Sequence, residues 1–219
     1  MYPKLLETID LLRNQEISED RKATLAPLVD FIQGRLADKK TIDINFICSH
    51  NSRRSHLSQV WAQVASAYFN VPNVTCYSGG TEATEMFHKV VEALNIQGLF
   101  ITKISDTVNP VYAIKYDEHL HPVLGFSKRY DSSFNPVQGF VAILTCSEAD
   151  NECPYIAGAD QRISITFEDP KVADRTPEQT QVYHERSLQI GAEMFYVFSR
   201  VKNGNTLDIS NKTKIKMYA

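Results

Sequence analysis

The segment from residue 42 to residue 65 constrains the fold more than any other part of this chain. An apolar run over residues 42–47 predicts a buried strand, and apolar residues recur with helical period from Leu57 to Ala65. The residues Cys48–Ser55 join the two, so a loop runs from the end of a strand to the start of a helix. Backbone N–H groups and the positive end of the helix dipole converge in such a loop, where they bind anions and favour a thiolate.

Cys48 and Arg54 make this loop a candidate for chemistry on an oxyanion. A thiolate is a nucleophile, and a guanidinium fork can hold two oxygens of a tetrahedral anion. The spacing alone is weak, because a cysteine and an arginine six positions apart occur by chance in many proteins. The alternative is a buried cysteine that ends a strand, followed by two solvated arginines. We favour the functional interpretation, because cations at a helix N-terminus are unfavourable unless an anion joins them.

The rest of the chain alternates between apolar runs and helical periods, which predicts an α/β fold. We expect a three-layer, doubly wound parallel sheet with ligands at the carboxyl ends of its strands. The further elements that we predict are strands at 74–77, 140–144 and 163–167, a turn at Gly79–Gly80, and helices at 84–94 and 176–201. Cys48 and Cys146 each follow a strand, so both belong to that end of the sheet.

Three segments lie outside this scheme. The helical pattern of residues 1–41 predicts an N-terminal extension that packs on the main domain. The main domain covers residues 42–202. An insertion at about residues 103–138 contains a predicted β-hairpin, with strands at 111–116 and 123–126. Residues 203–219 form a polar C-terminal tail.

Composition excludes several classes of function. The chain has 219 residues and a formal net charge of -3, so it offers no basic field for nucleic acid or for a membrane surface. No apolar run approaches a membrane span, and the first residues are charged, so we expect a cytoplasmic protein. We expect its four cysteines to stay reduced and to matter through their reactivity.

A second group of reactive residues lies towards the C-terminus. Cys146 and Cys153 flank an acidic segment and could pair if that segment folds back on itself. A zinc pair is the alternative, although no second close pair of Cys or His follows. Asp169 precedes Pro170 on a predicted loop and could protonate a leaving oxygen, although an aspartate there is also a common turn residue.

Together these motifs resemble the low-molecular-weight protein tyrosine phosphatase superfamily over about residues 42–201. The family's loop has the form Cys, two residues, Asn, two residues, Arg, Ser, and the chain is similar at Cys48, Asn51, Arg54 and Ser55. The segment Ser78–Thr81 and the Asp169–Pro170 dipeptide match two further family motifs. The spacing of Cys146 and Cys153 is similar to the thioredoxin-coupled arsenate reductase branch, whereas the phosphatases lack that pair.

The resemblance implies a role for each of these residues. Cys48 is the nucleophile, Arg54 clamps the oxyanion, Asn51 shapes the loop and Ser55 helps to hold the thiolate. Asp169 is the general acid, and Cys146 and Cys153 form a thiol relay to thioredoxin. The residues implied to bind the oxyanion, through loop amides and the clamp, are Ser49, His50, Asn51, Ser52, Arg53 and Arg54.

Three functions follow, in order of preference. The first is arsenate reduction, with no metal and no cofactor other than external thioredoxin as reductant. The second is hydrolysis of phosphate monoesters through a cysteinyl-phosphate, as in a tyrosine phosphatase. The third is a non-catalytic oxyanion-binding module, which is favoured if His50, where the family usually has glycine, and Arg53 distort the loop. The expected partners are a small oxyanion and thioredoxin, without nucleic acid or membrane.

Overall fold

A four-stranded parallel sheet forms the centre of the molecule. The computed structural model describes residues 1–153 and 155–202. The strands are β1 (Ile42–Cys48), β2 (Val74–Gly80), β3 (Phe100–Lys103), β4 (Tyr112–Lys115), β5 (Val123–Gly125), β6 (Phe140–Leu144) and β7 (Ala159–Ser164). The helices are α1 (Pro3–Arg13), α2 (Glu19–Ala37), α3 (Arg54–Tyr68), α4 (His88–Ile96), α5 (Ser147–Glu152) and α6 (Gln179–Arg200). The central sheet has the order β2-β1-β6-β7, which confirms the predicted α/β class with a parallel sheet.

The two faces of the sheet bury different clusters of side chains. Alternate residues of a strand point to opposite faces, and Phe46 and Ile143 join the main core, which also contains the apolar sides of α3 and α6. Ile47 and Leu144 point to the other face and pack in a smaller cluster with Ala149 of α5. This second layer is thin, because the short helix α5 shares it with irregular chain around Tyr130, which packs against the cluster.

The first two helices share the main core with the sheet. Leu5, Ile9 and Leu12 are fully buried or nearly so on one side of α1, in accord with the predicted amphipathic period. Both helices pack against α6. Gly191 of α6 permits this approach, because a Cβ atom there would lie 2.9 Å from Leu12 Cδ1.

The predicted hairpin belongs to a second, antiparallel sheet of three strands. β4 and β5 pair as the hairpin, and β3 pairs with the other edge of β4. The sequence analysis missed β3 because most of its side chains are exposed and give no alternating pattern. The small sheet therefore begins at Phe100, before the predicted start of the insertion.

Several predicted boundaries were wrong. Gly79 and Gly80 lie inside β2 and not in a turn, because β2 continues to pair with β1 as far as Cys48. α4 begins at His88 instead of Thr84, whose amide and hydroxyl are hydrogen-bonded to Ser127 and to the His50 carbonyl. The C-terminal elements differ too: β7 covers 159–164 instead of 163–167, and α6 covers 179–200.

The predicted C-terminal tail, residues 203–219, lies outside the described residues. Among the helices of residues 1–153 and 155–202, none is long and apolar enough to cross a membrane.

Candidate active site

The loop between β1 and α3 is held against the end of β2. The Cys48 carbonyl accepts a hydrogen bond from the Thr81 amide at 3.1 Å, and the Ser49 carbonyl accepts one from the Glu82 amide at 2.8 Å. Gly80 makes this approach possible, because a Cβ atom there would lie 2.6 Å from the Asn51 nitrogen. The two neighbouring strands therefore fix the loop at the carboxyl edge of the sheet, where the parallel topology predicts a site.

The Cys48 thiol lies under this loop and contacts a hydroxyl group. Its side chain is 4% exposed, and its Sγ atom is 3.1 Å from Ser55 Oγ. Asn51 Nδ2 donates to the same hydroxyl at 2.9 Å, and Asn51 has a φ of 45° in the left-handed region that asparagine tolerates. Because the Ser55 hydroxyl accepts from Asn51, its own hydrogen can be donated to the sulfur, where it would stabilise a thiolate.

The backbone amides of the loop are left without acceptors. In the described part of the chain, the N–H groups of residues 49–53 donate to no carbonyl or side-chain acceptor. The loop leads directly into the N-terminus of α3, whose dipole adds positive potential. Unpaired N–H groups at the start of a helix can donate to a tetrahedral oxyanion, so these amides stay candidates for binding one.

Arg54 and Asp169 meet at the rim of the loop. Arg54 Nη2 is 2.6 Å from Asp169 Oδ2, and Nη1 donates to the Phe167 carbonyl at 3.0 Å. The other oxygen of Asp169 accepts from the Lys171 amide and caps the 3-10 turn Pro170–Ala173. Asp169 thus has both properties that the sequence left open: it is a capping residue, and it faces the candidate site.

The side chains of His50 and Arg53 turn away from the loop. His50 is exposed, with its Nε2 atom 3.7 Å from Glu82. The Arg53 guanidinium donates to Tyr183 at 2.6 Å and to Asp174 at 2.8 Å, and lies over the Phe87 ring. The side chains of His50 and Arg53 therefore leave the interior of the loop, and distortion by these side chains was the condition that favoured a non-catalytic module.

Cys146 lies beside the same loop. It is fully buried, and its Sγ atom is 3.5 Å from Ser49 Oγ. Its sulfur also caps α5 by accepting from the Ala149 amide at 3.4 Å. Burial raises the pKa of this thiol, and hydrogen bonds and the charge of Arg54 offset the rise only in part. Cys153 follows α5 and packs in the same apolar cluster as Cys48 and Cys146.

No model of a known protein family matches the sequence. The fold of a low-molecular-weight phosphotyrosine phosphatase from Vibrio cholerae superposes on 72% of this chain and 94% of its own, with a TM-score of 0.49 and 12% identity. An arsenate reductase of Bacillus licheniformis is 27% identical over 150 residues, which cover 68% of this chain and 86% of that protein. Arsenate reductase 2 of Staphylococcus haemolyticus is 30% identical over 134 residues, which cover 61% of this chain and 80% of that protein. The chain belongs to the arsenate reductase branch of the low-molecular-weight phosphatase superfamily.

Membership of this enzyme family gives the four cysteines their context. All four are thiols in the structure. Cys76 lies in the core strand β2, and burial raises its pKa far above the ordinary value, as expected for an unreactive core residue. Within residues 1–153 and 155–202, no three His, Cys, Asp or Glu side chains come together as a metal ion would require.

The structure shows two buried basic residues that the sequence analysis missed. Lys128 is 5% exposed, and its amide donates to Asn51 Oδ1 at 2.9 Å. His56 is fully buried in the first turn of α3. Burial and the charge of Lys128 lower the pKa of His56 to about 3. No local sequence pattern marks Lys128, because it follows the predicted hairpin in a segment whose apolar residues show neither a helical nor a strand period.

Proposed function

We propose that the protein is an arsenate reductase in which Cys48, Cys146 and Cys153 act in sequence. The observation that carries the proposal is the position of Cys146, whose buried thiol lies 3.5 Å from a side chain of the Cys48 loop. A phosphatase needs no second thiol there, whereas a reductase needs one within reach of the first. The family membership and the oxyanion-binding arrangement of the loop support the same function.

In the first step, the Cys48 thiolate attacks arsenate. A sulfur–arsenic bond forms and an arsenate oxygen leaves as water, while the loop amides and Arg54 hold the remaining oxygens. Arg54 is paired with Asp169 in the structure, so a bound oxyanion competes with that carboxylate for the guanidinium.

In the second step, the thiolate of Cys146 attacks the Cys48 sulfur. The sulfur–arsenic bond breaks and its electron pair stays on arsenic, which leaves as arsenite, and a Cys48–Cys146 disulfide remains. The Ser49 hydroxyl and the charge of Arg54 both favour ionisation of Cys146 against its burial. Cys146 must give up its hydrogen bond from Ala149 to move, which loosens the first turn of α5.

In the third step, Cys153 attacks Cys146 and restores the Cys48 thiol. The two cysteines flank α5, Ser147–Glu152, so that helix must unwind to let the sulfurs meet. Only six residues are helical, and so short a helix contributes little resistance. An external dithiol such as reduced thioredoxin then reduces the Cys146–Cys153 disulfide and supplies the two electrons that arsenic received.

Cys153→Ser tests the relay. We expect this variant to form at most one arsenite per protein molecule in the presence of a thioredoxin system, because its Cys48–Cys146 disulfide cannot be passed on. Hydrolysis of an aryl phosphate, which needs only Cys48, stays intact. Cys76→Ser is the matched control and keeps multiple turnover, since Cys76 lies in the core. Equal multiple turnover by Cys153→Ser and the unchanged protein would refute the relay.

The position of Asp169 supports a second candidate, hydrolysis of phosphate monoesters. Its carboxylate lies 2.6 Å from Arg54 at the rim of the loop, within reach of a leaving oxygen. Multiple turnover of aryl phosphate without thioredoxin-dependent arsenate reduction would favour this candidate. The third function, a non-catalytic binding module, has less support because the side chains of His50 and Arg53 point away from the loop.

A further inference from the structure

Lys128 is a buried cation that has no acidic partner among the described residues. Its side chain is nearly inaccessible, and its ammonium nitrogen lies 4.4 Å from the centre of the Phe126 ring and 5.3 Å from that of Phe134. The ammonium group donates a long hydrogen bond to the Phe126 carbonyl, at 3.3 Å. Within residues 1–153 and 155–202, no carboxylate forms an ion pair with it, and burial lowers its pKa to about 7.

An arrangement of this kind opposes folding. Contacts with two aromatic faces and one carbonyl replace only part of the hydration free energy that an ammonium group loses on burial. An uncompensated interior charge is therefore destabilising unless another negative group completes the site.

The backbone of Lys128 connects it to the Cys48 loop. Its amide donates to Asn51 Oδ1 and its carbonyl accepts from the Gly80 amide, both at 2.9 Å. Asn51 is the residue that orients the Ser55 hydroxyl towards Cys48. Two hydrogen bonds, through Asn51, thus connect the backbone of Lys128 to the hydroxyl that contacts the thiol.

The groups that face Lys128 leave its charge uncancelled. His56, from α3, is kept neutral by burial and by Lys128 itself. Arg129, the next residue, turns its guanidinium outwards to Asp131. The other neighbours are the neutral amide of Asn51 and the two phenylalanine rings. The ammonium group acts on His56, in the first turn of α3, and the Cys48 loop leads directly into that turn, where Cys48 and an oxyanion would carry a compensating negative charge.

We propose that Lys128 is a positioning residue: its backbone is hydrogen-bonded to Asn51 of the Cys48 loop, and its buried ammonium group strengthens the hold of the loop on an oxyanion. This inference rests on the proposed oxyanion chemistry of the loop, and it adds a residue that has no counterpart in the loop motif. The loss of stability from the uncompensated charge is offset when the anion binds, because the two opposite charges then share one low-dielectric region.

Sulfate binding to a Cys48→Ser background tests this role without interference from the thiol. Sulfate stays a dianion around neutral pH, so any proton taken up on binding is taken up by a group of the protein. We expect Lys128→Met, which keeps the length of the side chain, to bind sulfate at least about tenfold more weakly at pH 6.5, the loss of one favourable charge interaction. Lys171→Met removes an exposed lysine of equal charge and is the matched control.

Two further measurements separate a positioning role from a structural one. Calorimetry at pH 7.5 in buffers of different ionisation enthalpy should show proton uptake on sulfate binding, because the anion favours the charged form of Lys128, and Lys128→Met should abolish it. The Tm of Lys128→Met at pH 6 should rise, since the variant lacks an uncompensated buried charge.

Each other outcome has a distinct meaning. Unchanged sulfate affinity in Lys128→Met overturns the role of Lys128 and leaves the proposed function standing. A weaker affinity accompanied by a lower Tm and unchanged proton uptake would make Lys128 a structural residue and would also overturn it. If the Cys48→Ser protein binds neither sulfate nor phosphate, the proposed function itself fails.

Discussion

Asp169 shows how one side chain can serve the local fold and the site together. One carboxylate oxygen caps the 3-10 turn through the Lys171 amide, and the other is paired with Arg54. The cap fixes where the carboxylate lies, and the pair holds it beside the loop. Asp169 is therefore a positioned candidate for the general acid, and its role can be separated from its part in the turn.

Asp169→Asn distinguishes these roles by the leaving group of the substrate. Asparagine still accepts the hydrogen bond of the turn but cannot give a proton, so hydrolysis of phenyl phosphate should fall by about 100-fold or more. Hydrolysis of 4-nitrophenyl phosphate, whose leaving group needs little protonation, should fall much less. The measurement is kcat for both esters.

Glu168→Gln is the control, because that exposed carboxylate is paired with Arg186, away from the loop. An equal loss of kcat with the two esters in Asp169→Asn would show that Asp169 acts on the loop through Arg54 and does not donate a proton.

At the scale of elements, Arg53 joins three parts of the chain at the back of the loop. It precedes α3, donates to Tyr183 of α6, and pairs with Asp174, which follows the 3-10 turn. The turn that carries Asp169 and the loop that carries Cys48 are thereby tied together. Arg53 therefore forms a structural link between the loop, the 3-10 turn and α6.

Arg53→Ala should lower the free energy of unfolding by about 2 to 3 kcal/mol, because it removes two charge-assisted hydrogen bonds and leaves Asp174 partly buried. Urea denaturation at neutral pH measures this. Arg129→Ala is the matched control, since its pair with Asp131 is exposed and exposed ion pairs contribute little to stability.

The difference between Arg53→Ala and the unchanged protein should shrink in acid. Burial raises the pKa of Asp174, but hydrogen bonds from Tyr183 and Gln179 and the charge of Arg53 outweigh it, so the net shift is downward. A carboxylate with a lowered pKa stabilises the fold above its unfolded pKa and loses that effect as the pH falls through the folded one. A difference that stays constant down to the lowest pH of folding would contradict this account.

The exposed edge of the central sheet is closed by side chains. β2 is the edge strand of that sheet and pairs with β1, and Gly80 at its end also forms a bridge with Arg129. Two glutamines of α3 contact the outer backbone groups of Cys76. Gln63 accepts from the Cys76 amide at 3.0 Å, and Gln59 donates to the Cys76 carbonyl at 3.0 Å. An unpaired edge invites association with another strand, so these contacts protect the sheet.

For the whole molecule, two basic side chains buried behind one loop make stability depend on pH. His56 and Lys128 both have lowered pKa values, because burial disfavours their charged forms. At acid pH the unfolded chain binds more protons at these two side chains than the folded chain does, so acid favours unfolding. For His56 this effect begins below its ordinary pKa of 6.5 and continues to about 3.

His56→Gln should make the protein less sensitive to acid. Between pH 7.5 and pH 5, the unchanged protein should lose about 2 kcal/mol more unfolding free energy than the variant, since each pH unit below 6.5 contributes about 1.4 kcal/mol. Urea denaturation at the two pH values measures the loss. His119→Gln, at an exposed position, should behave as the unchanged protein does. An equal loss in all three proteins would show that His56 is protonated in the folded state.

The strand, loop and helix around Cys48 could be predicted because their determinants are local. Apolar runs marked β1 and β6, and the cysteine at the end of each run placed Cys48 and Cys146 at the same edge of a parallel sheet. The third strand of the small sheet could not be predicted, because β3 is held by pairing with β4 and not by its own pattern. We predicted a turn at Gly79 and Gly80 because glycine is common in turns. In the structure the missing side chains instead let backbone of neighbouring segments approach these two residues closely.

The sequence by itself determined the α/β class and the place of the loop, and it supplied the candidates for reactive residues, since period, spacing and residue type are carried by near neighbours in the chain. Only the tertiary structure decided where the remaining charges point. It turned Arg53 away from the loop, paired Arg54 with Asp169, and placed Lys128 behind Asn51. These outcomes depend on contacts between residues distant in the chain, whose burial and electrostatic energies no local pattern encodes.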